Sequence, residues 1–498
     1  MTGALNRIVR TMYAAEYRHF LAPCDLRRVQ MDYLGDLLQK NAATVYGRRY
    51  GFGQIHDYRR FAHTVPLTTY EDYAPYIERI ADGGQGILTA EPVRLLEPTS
   101  GSSGGRKLIP YTASLQAEFQ RGIRPWLCDL YTRIPGVCDG MSYWSVTPVT
   151  QGKEFTPGGI PIGFEDDAAY FGRIEQALMR RIFAVDGSVK FTKDMAHFWE
   201  ETATRLLRCN ALSLISVWNP TYLTILCDYI REHAHALARR VPECRMRLWH
   251  AQENRFDRVF PALRVISCWA DGSAAEDVPA IRARFPGVYL QPKGLLATEC
   301  FVSFPLVGEE GSRLCLRSHF FEFRSLATGR IVTADRLHPG VYELIVTTGG
   351  GFYRYCIGDV IEVLETDPAH PPRIRFLRRS GITSDLCGEK LTEDFVRGVC
   401  LSLGLEQHFC LLAPEGRRYC LYTTADLPDS ALDAALREGY HYQYCRELGQ
   451  LQCAHVIRVS GDPDKAYLAR LTAEGMRLGD IKPAYLSRLD GWGKWLCP

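Results

Sequence analysis

The sequence predicts a two-domain α/β protein, with a large N-terminal domain of β-sheets and helices and a small C-terminal α+β domain. Three observations lead to this prediction. The chain has 498 residues, which is too long for one compact core. Between about residue 90 and residue 380, short β-rich runs alternate with helical patterns, as in α/β folds. The stretch after residue 379 has its own order of strands and helices over roughly 120 residues, close to the usual domain size.

The elements of the first domain follow from periodicity and residue type. Residues 1 to about 65 are predicted to be mostly helical, and the apolar positions from Met31 to Leu38 have helical spacing. A further helix is predicted from Tyr222 to Arg239. β-Branched and aromatic residues predict strands, the clearest being the third of Ala211 to Val217, Pro261 to Ser267 and Val341 to Thr348. The first domain is expected to span residues 1–379.

The second domain is expected to span residues 380–498, after a short turn from Ser380 to Thr383. A helix is predicted to begin near Thr392, and a long helix to cover roughly Ser430 to Leu448. The predicted strands of this domain are Phe409 to Leu412, Tyr419 to Tyr422 and Ala454 to Val459.

Composition excludes several classes of protein. The net charge is +2, with 59 basic and 57 acidic residues, so a nucleic-acid partner is not indicated. We expect no membrane span, because no segment approaches the ~20 consecutive apolar residues required. The N-terminus mixes charged and apolar residues as an amphipathic helix does, not as a secretory signal. The 17 cysteines include no C-x-x-C pair, which predicts reduced, buried thiols in a cytoplasmic protein.

The segment from Glu97 to Pro110 is the strongest candidate for binding a phosphate group. Its glycines permit tight turns, and its hydroxyl groups and cations stand beside backbone amides, as in a polyphosphate-binding loop. It is not a Walker loop, because Leu108 replaces the required Ser or Thr after Lys107. Pro110 disfavours an immediate helix, so we predict strand, loop and strand, with a helix beginning after Thr112 as its N-cap. This geometry argues against a phosphotransferase of the P-loop type.

Three further segments carry candidate polar groups. In Thr347 to Val360, a glycine turn precedes Asp359, which is expected on a turn where its two oxygens could accept both hydroxyls of a ribose. In Lys293 to Cys300, Glu299 beside Thr298 could hold Mg²⁺ and a phosphate oxygen. Charged residues also surround the predicted domain boundary, from Arg378 to Leu391. Taken singly, Asp359 is better explained as capping its own turn, while the alternatives for the other two segments are an ordinary solvated glutamate and a charged linker.

Together, these segments resemble the Gretchen Hagen family of auxin-responsive acyl acid amido synthetases, within the adenylate-forming superfamily. The similarity begins at Tyr46 to Phe52 and Val65 to Tyr73 and continues through the four segments above. Their order and spacing also fit, so the resemblance extends over nearly the whole chain. It implies ATP-dependent activation of a small carboxylic acid as an acyl-adenylate. The acyl group then passes to an amine or amino acid.

The resemblance also implies a mobile C-terminal domain and roles for individual residues. Thr298 and Glu299 correspond to the phosphate and magnesium pair, and Lys482 to a lysine that reaches the reacting phosphate, so these three are the catalytic candidates. ATP and Mg²⁺ are the implied cofactors, with Glu299 as the metal ligand. The expected ATP contacts are Ser100, Gly101, Ser102, Ser103, Gly104, Lys107, Thr298, Tyr355, Asp359 and Arg379. Cys300 stands where the family usually has glycine, which puts the shape of that loop in doubt.

Position along the chain makes Trp144, Val217, Trp218 and Trp269 candidates for the acid pocket, although core packing is the better explanation for each. Two alternative functions share the adenylating half or its nucleotide site. The first is an acyl-CoA or carrier-protein ligase with a thiol acceptor. The second is a nucleotide-binding regulator without catalysis, against which the retained Glu299, Asp359 and Lys482 argue.

Overall fold

The computed structural model describes residues 2–99, 107–145, 154–163, 173–192, 194–379, 383–474 and 484–497. The chain divides into two compact units. The first unit comprises Met1–Pro98 and Leu108–Arg378, and the second comprises Thr99–Lys107 and Arg379–Pro498. Each unit has its own buried apolar core.

The first unit begins with helices, as the sequence predicts, and further helices alternate with its strands. Its helices are α1 (Thr2–Leu21), α2 (Leu26–Lys40), α3 (Val45–Arg49), α4 (Tyr58–Thr64), α5 (Tyr70–Ala81), α6 (Ala113–Arg133), α7 (Arg173–Ile182), α8 (Met195–Arg208), α9 (Pro220–Glu232), α10 (Ala234–Arg240), α11 (Arg245–Gln252), α12 (Phe256–Val259) and α13 (Val278–Arg284).

Strands of the first unit form three sheets and one separate hairpin. They are β1 (Leu95–Thr99), β2 (Lys107–Tyr111), β3 (Met141–Trp144), β4 (Glu154–Phe155), β5 (Pro161–Ile162), β6 (Leu212–Ser216), β7 (Val265–Cys268), β8 (Tyr289–Pro292), β9 (Leu296–Ala297), β10 (Cys300–Phe301), β11 (Ser303–Phe304), β12 (Ser312–Leu314), β13 (Phe320–Ser325), β14 (Ile331–Thr333), β15 (Gly340–Thr347), β16 (Tyr355–Asp367) and β17 (His370–Arg379).

The parallel sheet has the order β3-β6-β7-β8, and every neighbouring pair in it is parallel. A seven-stranded sheet has the order β11-β12-β17-β16-β15-β13-β14, and a smaller one the order β2-β1-β5-β4. Strands β9 and β10 pair only with each other among the described strands. Because carboxyl ends of parallel strands meet at one edge, the ends of β3, β6, β7 and β8 and the described residues that follow them lie there.

Helix α6 is a long helix of the first unit, and most of its residues are buried. The Thr112 hydroxyl accepts the backbone N–H of Leu115 at 3.1 Å, which confirms the predicted N-cap. The helix packs against α1 on one side and against the hairpin strand β10 on another. Its buried residues include Phe119, Ile123 and Trp126, which are spaced to lie on one face.

Two predictions of secondary structure in this unit are wrong in detail. The helix predicted from Tyr222 to Arg239 is interrupted at His233, which ends α9 and precedes α10. The strand predicted from Pro261 begins only at Val265, because Pro261–Arg264 form a turn that leads into β7. Both errors arise where the apolar pattern continues across a change of direction.

The second unit is an α+β arrangement around the sheet β20-β21-β22, in which β20 and β21 are antiparallel and β21 and β22 parallel. Its elements are β18 (Thr383–Ser384), β19 (Leu391–Thr392), α14 (Glu393–Ser402), β20 (Cys410–Glu415), β21 (Arg418–Thr423), α15 (Asp429–Leu436), α16 (Tyr440–Glu447), β22 (His455–Arg458), α17 (Pro463–Ala473) and α18 (Gly493–Leu496). The long helix predicted from Ser430 to Leu448 is wrong, since it consists of α15 and α16 separated near Gly439.

All 17 cysteines are free thiols, and most are buried, as the composition predicts. Within the described ranges, no helix combines the length and apolarity needed to cross a bilayer.

Candidate active site

A short hairpin carries the predicted phosphate and magnesium pair. Cys300 pairs with Ala297 and Phe301 with Leu296, so residues 298 and 299 form the two-residue turn at its tip. The Glu299 side chain is not solvated, because the residue is only 8% exposed. Its Oε1 accepts a hydrogen bond from the Tyr355 hydroxyl at 3.3 Å. The hairpin therefore holds a buried carboxylate in a defined orientation at the turn.

Asp359 lies within β16 and not on the turn that was predicted for it. Gly358 before it has a φ of +79°, and the register with β15 shifts between Glu343 and Ile345. The glycine therefore makes a β-bulge inside one continuous strand, which re-aims the following side chain. Burial and the nearby carboxylates of Glu299 and Asp359 raise the pKa of the Cys300 thiol well above its usual range. Cys300 thus lies close to both acidic groups and is itself fully buried.

The glycine turn at residues 348–352 is anchored by a buried carboxylate of helix α6. The backbone N–H of Gly349 lies 3.1 and 3.0 Å from the two Glu118 oxygens, and the Tyr33 hydroxyl donates to Oε1 at 2.7 Å. A side chain at Gly349 would collide with Glu118, since a Cβ there would lie 2.3 Å from Oε1. Glu118 thus determines where this turn lies.

His319 connects Glu118 to the hairpin. Its Nε2 accepts the backbone N–H of Phe301 at 2.9 Å, so this nitrogen carries no proton and the proton resides on Nδ1. Nδ1 lies 3.0 Å from Glu118 Oε2, although its N–H does not point directly at that oxygen. Both side chains are buried. One carboxylate therefore positions the glycine turn directly and the hairpin strand through the imidazole.

The aromatic segment after the glycine turn is fixed by Arg354. This residue has a φ of +51°, which is unusual for a side chain of its size. Its guanidinium pairs with the buried Glu322 and donates to the carbonyl oxygens of Ala62 and Val65 at 2.7 and 2.9 Å. The segment bearing Tyr355 is thereby tied to the chain that precedes α5.

An aromatic cavity opens at the carboxyl edge of the parallel sheet. Its lining includes Phe119, Ile123, Trp126, Trp144, Val217 and Trp218. Leu296 and Phe301 of the hairpin also line it, so the element that carries Glu299 forms part of the cavity wall. Of the predicted acid-pocket residues, Trp269 does not line the cavity, but its ring lies 5.8 Å from that of Trp218.

The structure describes only some of the remaining predicted ATP contacts. Lys107 is the first residue of β2, and Arg379 is the last residue of β17. The predicted contacts Ser100, Gly101, Ser102, Ser103 and Gly104 lie outside the described residues, as does the catalytic candidate Lys482.

Comparison with known proteins assigns the family. Residues 22–255 match the model of the GH3 family N-terminal domain, and residues 313–379 match that of the GH3 family central domain. Together the two matches cover more than half of the chain. The chain belongs to the GH3 family. This finding confirms the resemblance inferred from the sequence motifs.

Plant members of the GH3 family are among its relatives. A probable indole-3-acetic acid-amido synthetase GH3.2 from Oryza sativa subsp. japonica is 25% identical over 480 residues, covering 84% of this chain and 74% of the relative. An indole-3-acetic acid-amido synthetase GH3.6 from Arabidopsis thaliana is 24% identical over 444 residues, covering 73% and 69%.

Solved structures confirm the predicted α/β fold. The AtGH3.15 acyl acid amido synthetase superposes with a TM-score of 0.67 at 19% identity, covering 98% of this chain and 95% of that one. A 2-hydroxyisobutyryl-CoA ligase superposes with a TM-score of 0.56 at 13% identity, covering 90% and 92%. This chain therefore shares its fold with both enzymes, a fold with a large N-terminal and a smaller C-terminal domain.

The sequence reasoning assigned no role to Glu118, His319 or Lys293 of this GH3 chain. The sequence contained a signal that could have identified Glu118, because it is a carboxylate within the apolar face of a long helix. Lys293 also had one, since it directly follows strand β8 and begins the segment that contains Glu299. His319 had none, because its partners lie far away in the sequence.

Proposed function

We propose that this GH3-family protein activates a carboxylic acid with ATP as an acyl-adenylate and transfers the acyl group to the amine of an amino acid. One observation carries the proposal. The hairpin β9–β10 presents the buried Glu299 at its turn, while Leu296 and Phe301 in its strands line an aromatic cavity. A carboxylate suited to a metal–phosphate complex and a pocket suited to an organic acid therefore share one element.

The chemistry of adenylation explains why these groups belong together. The acid carboxylate attacks the α-phosphate while pyrophosphate leaves, so negative charge accumulates where two anions already repel. The acid is ionised at neutral pH and needs no general base for this step. Holding the two reactants in line removes much of the entropic cost of their encounter. The cavity would hold the acid, and the loop at residues 100–107 and Lys482 are proposed to contact the phosphates.

Mg²⁺ fits the oxygen donors at the hairpin turn. The Glu299 carboxylate is a hard ligand, the Thr298 hydroxyl beside it suits a phosphate oxygen, and Mg²⁺ typically takes one or two carboxylates together with phosphate oxygens. Among the described residues, the one group of three potential ligand side chains lies elsewhere, at Cys387, Glu389 and Cys445. Glu299 would thus provide a single protein ligand, and the metal would neutralise charge on the leaving pyrophosphate.

Domain movement is part of the proposal. We assign residues 1–379 to ATP and acid binding, with Tyr355, Asp359 and Arg379 facing the nucleoside, and residues 380–498 to a mobile domain that carries Lys482. A lysine on a moving domain could serve the first half-reaction and then withdraw for acyl transfer. The 17 free thiols support a cytoplasmic location, where cysteines remain reduced.

The acceptor separates this function from its alternatives. The names of the plant relatives, indole-3-acetic acid-amido synthetases, support an amino acid acceptor. The likeness to a CoA ligase concerns the fold alone and supports a thiol acceptor less. A nucleotide-binding regulator without catalysis would bind ATP but release no pyrophosphate in response to an acid.

Acid-dependent exchange of pyrophosphate into ATP tests the first half-reaction, with a panel of aromatic acids as substrates. Mass spectrometry of products formed with amino acids or with CoA then identifies the acceptor. Lys482→Ala should nearly abolish exchange, whereas Lys494→Ala, at an exposed position of α18, should retain it. Wild-type exchange in Lys482→Ala would remove this lysine from the mechanism. ATP binding without exchange in the wild-type protein would favour the regulator.

A further inference from the structure

The aromatic cavity contains one ammonium group in a defined position. The Nζ atom of Lys293 donates a hydrogen bond to the Ser216 hydroxyl at 2.8 Å. It also lies 5.3 Å from the ring centroid of Trp126 and 4.9 Å from that of Trp218. Contacts of a cation with two indole faces and a hydroxyl hold its side chain in place. The cavity therefore presents a fixed positive charge among aromatic rings.

Helix α6 shows at which end of the cavity this charge lies. Glu118 binds the glycine turn at Gly349, which belongs to the proposed nucleotide-binding region, and Phe119 is the first cavity residue after it. Trp126 follows Phe119 by seven residues on the same face, which is roughly 10 Å along the helix axis. Lys293 packs against Trp126 and so lies toward the end of the cavity remote from the nucleotide turn.

We infer that Lys293 recognises a second hydrogen-bond acceptor on a planar aromatic acid, at the end of the molecule opposite the reacting carboxylate. The inference rests on the proposed function, because that function places the reacting carboxylate near Glu299 at the hairpin turn. The aromatic lining fits a planar ring, which can stack between indole and phenyl faces. The ammonium group has three N–H donors and no acceptor, so it selects an oxygen acceptor and repels a donor or a cation.

The expected selectivity follows from the cost of leaving a polar group unmatched. An acid with an apolar far end would bury the ammonium group against hydrocarbon without forming a hydrogen bond to it. An acid with a carboxylate or hydroxyl there would form a charge-assisted bond in a site of low polarity. Such bonds discriminate by about tenfold to a hundredfold between ligands that make them and ligands that do not.

Three acids of similar size test the inference, namely 4-carboxycinnamate, 4-hydroxycinnamate and 4-methylcinnamate. Their dissociation constants are measured by calorimetry on the full chain in the presence of an unreactive ATP analogue, and their adenylation by pyrophosphate exchange. The wild-type protein should bind 4-carboxycinnamate at least tenfold more tightly than 4-methylcinnamate, with 4-hydroxycinnamate between them. In Lys293→Met this preference should disappear, because methionine keeps the length of the side chain without its charge.

Lys190→Met is the matched control. Lys190 is a buried lysine whose Nζ lies 5.0 Å from the Phe191 ring centroid, and it does not line the cavity. This variant should retain the wild-type order of affinities. An equal loss for all three acids in Lys293→Met would overturn the inference, because the ammonium group would then act on the shared carboxylate or on pocket shape.

The two readouts separate this inference from the proposed function. A calorimetric preference that depends on Lys293, without any acid-dependent exchange, would support the inference and refute the function. Exchange without a preference between the acids would support the function and refute the inference. Absence of binding by all three acids would also refute the inference.

Discussion

Replacing Glu118 by glutamine should displace the glycine turn at Gly349 and weaken ATP binding. The carboxylate is buried, and its described neighbours are the Gly349 N–H and the Tyr33 hydroxyl, which donate to it, and the His319 imidazole, whose Nδ1 lies 3.0 Å away. Glutamine replaces one of its oxygens with an NH₂ group, which cannot accept. In either orientation of the amide, its NH₂ group then faces the Gly349 N–H, because that N–H lies within hydrogen-bond distance of both carboxylate oxygens.

The magnitude follows from these contacts. Leaving a buried donor without an acceptor costs about 1–3 kcal/mol, and the hydrogen bonds that remain lose their charge assistance. We expect a loss of about 2–3 kcal/mol in the free energy of unfolding of the first unit, measured by urea denaturation. Because Glu118 holds the turn at Gly349, we also expect the KM for ATP in pyrophosphate exchange to rise several-fold.

Asp129→Asn is a matched control on the same helix. Asp129 is buried, and it accepts hydrogen bonds from the Tyr17 hydroxyl at 2.6 Å and the Val307 N–H at 2.7 Å. This variant should lose comparable stability but keep the wild-type KM for ATP. If both variants changed the KM equally, the effect would come from lost stability alone. A Glu118→Gln protein with wild-type stability and wild-type KM would refute the reasoning.

Three further variants test the hairpin and the second unit. Gly122→Ala should lower stability by about 1–3 kcal/mol and impair exchange, because its Cβ would lie 2.2 Å from the Phe301 ring; thermal unfolding and the exchange assay measure both effects. Tyr355→Phe should reduce exchange several-fold without loss of fold, since it removes only the hydroxyl that donates to Glu299, as kinetics and circular dichroism would show. Burial, with a nearby aspartate, raises the pKa of Glu389 from about 4.5 to about 7, so the folded second unit retains a proton that the unfolded chain releases. Its stability should therefore fall as the pH rises from 4.5 to 7 and then level off, and Glu389→Gln should flatten this dependence in thermal melts.

Each of these variants has a control. Gly35→Ala lies in helix α2 with no atom within 4 Å of the new Cβ, so it should be neutral or stabilising by up to about 1 kcal/mol. Tyr342→Phe removes a hydroxyl that donates to the His338 carbonyl and should leave exchange unchanged. Glu447→Gln, at the end of α16, should retain the wild-type pH profile of stability. A Gly122→Ala protein with normal stability would contradict the close packing of α6 on the hairpin.

Residue types and N-cap side chains predicted the elements whose boundaries depend only on residues nearby in the sequence. The hydroxyl of Thr112 begins α6 because an N-cap needs only its own first turn, and Val341 to Thr348 predicted β15 because its residue types favour strands. The long helix predicted across Gly439 failed for a different reason. A Cβ at Gly439 would lie 2.9 Å from the Phe395 ring, so the break between α15 and α16 accompanies a contact with α14 that periodicity does not reveal.

The same distinction between local signals and long-range contacts applies to the candidate site. The Glu299 turn was recognisable because its residues are contiguous, and Asp359 was recognisable by residue type but was assigned to a turn. Only the pairing of β15 with β16 shows that Gly358 makes a bulge. The Glu118–His319 pair could not be predicted, since its contacts with Gly349 and Phe301 join segments that are distant in the sequence.

Helix α6 couples the aromatic cavity to the carboxylate at the hairpin turn through packing. The Phe119 and Phe301 rings meet edge to face at 6.0 Å, and Gly122 lies directly against Phe301. Protein interiors are packed as densely as organic crystals, so the Phe301 ring cannot shift without moving β10 and the turn that carries Glu299. His319 holds the backbone of the same strand by accepting the Phe301 N–H. Changes in the cavity wall and changes around the imidazole should therefore both alter the position of Glu299.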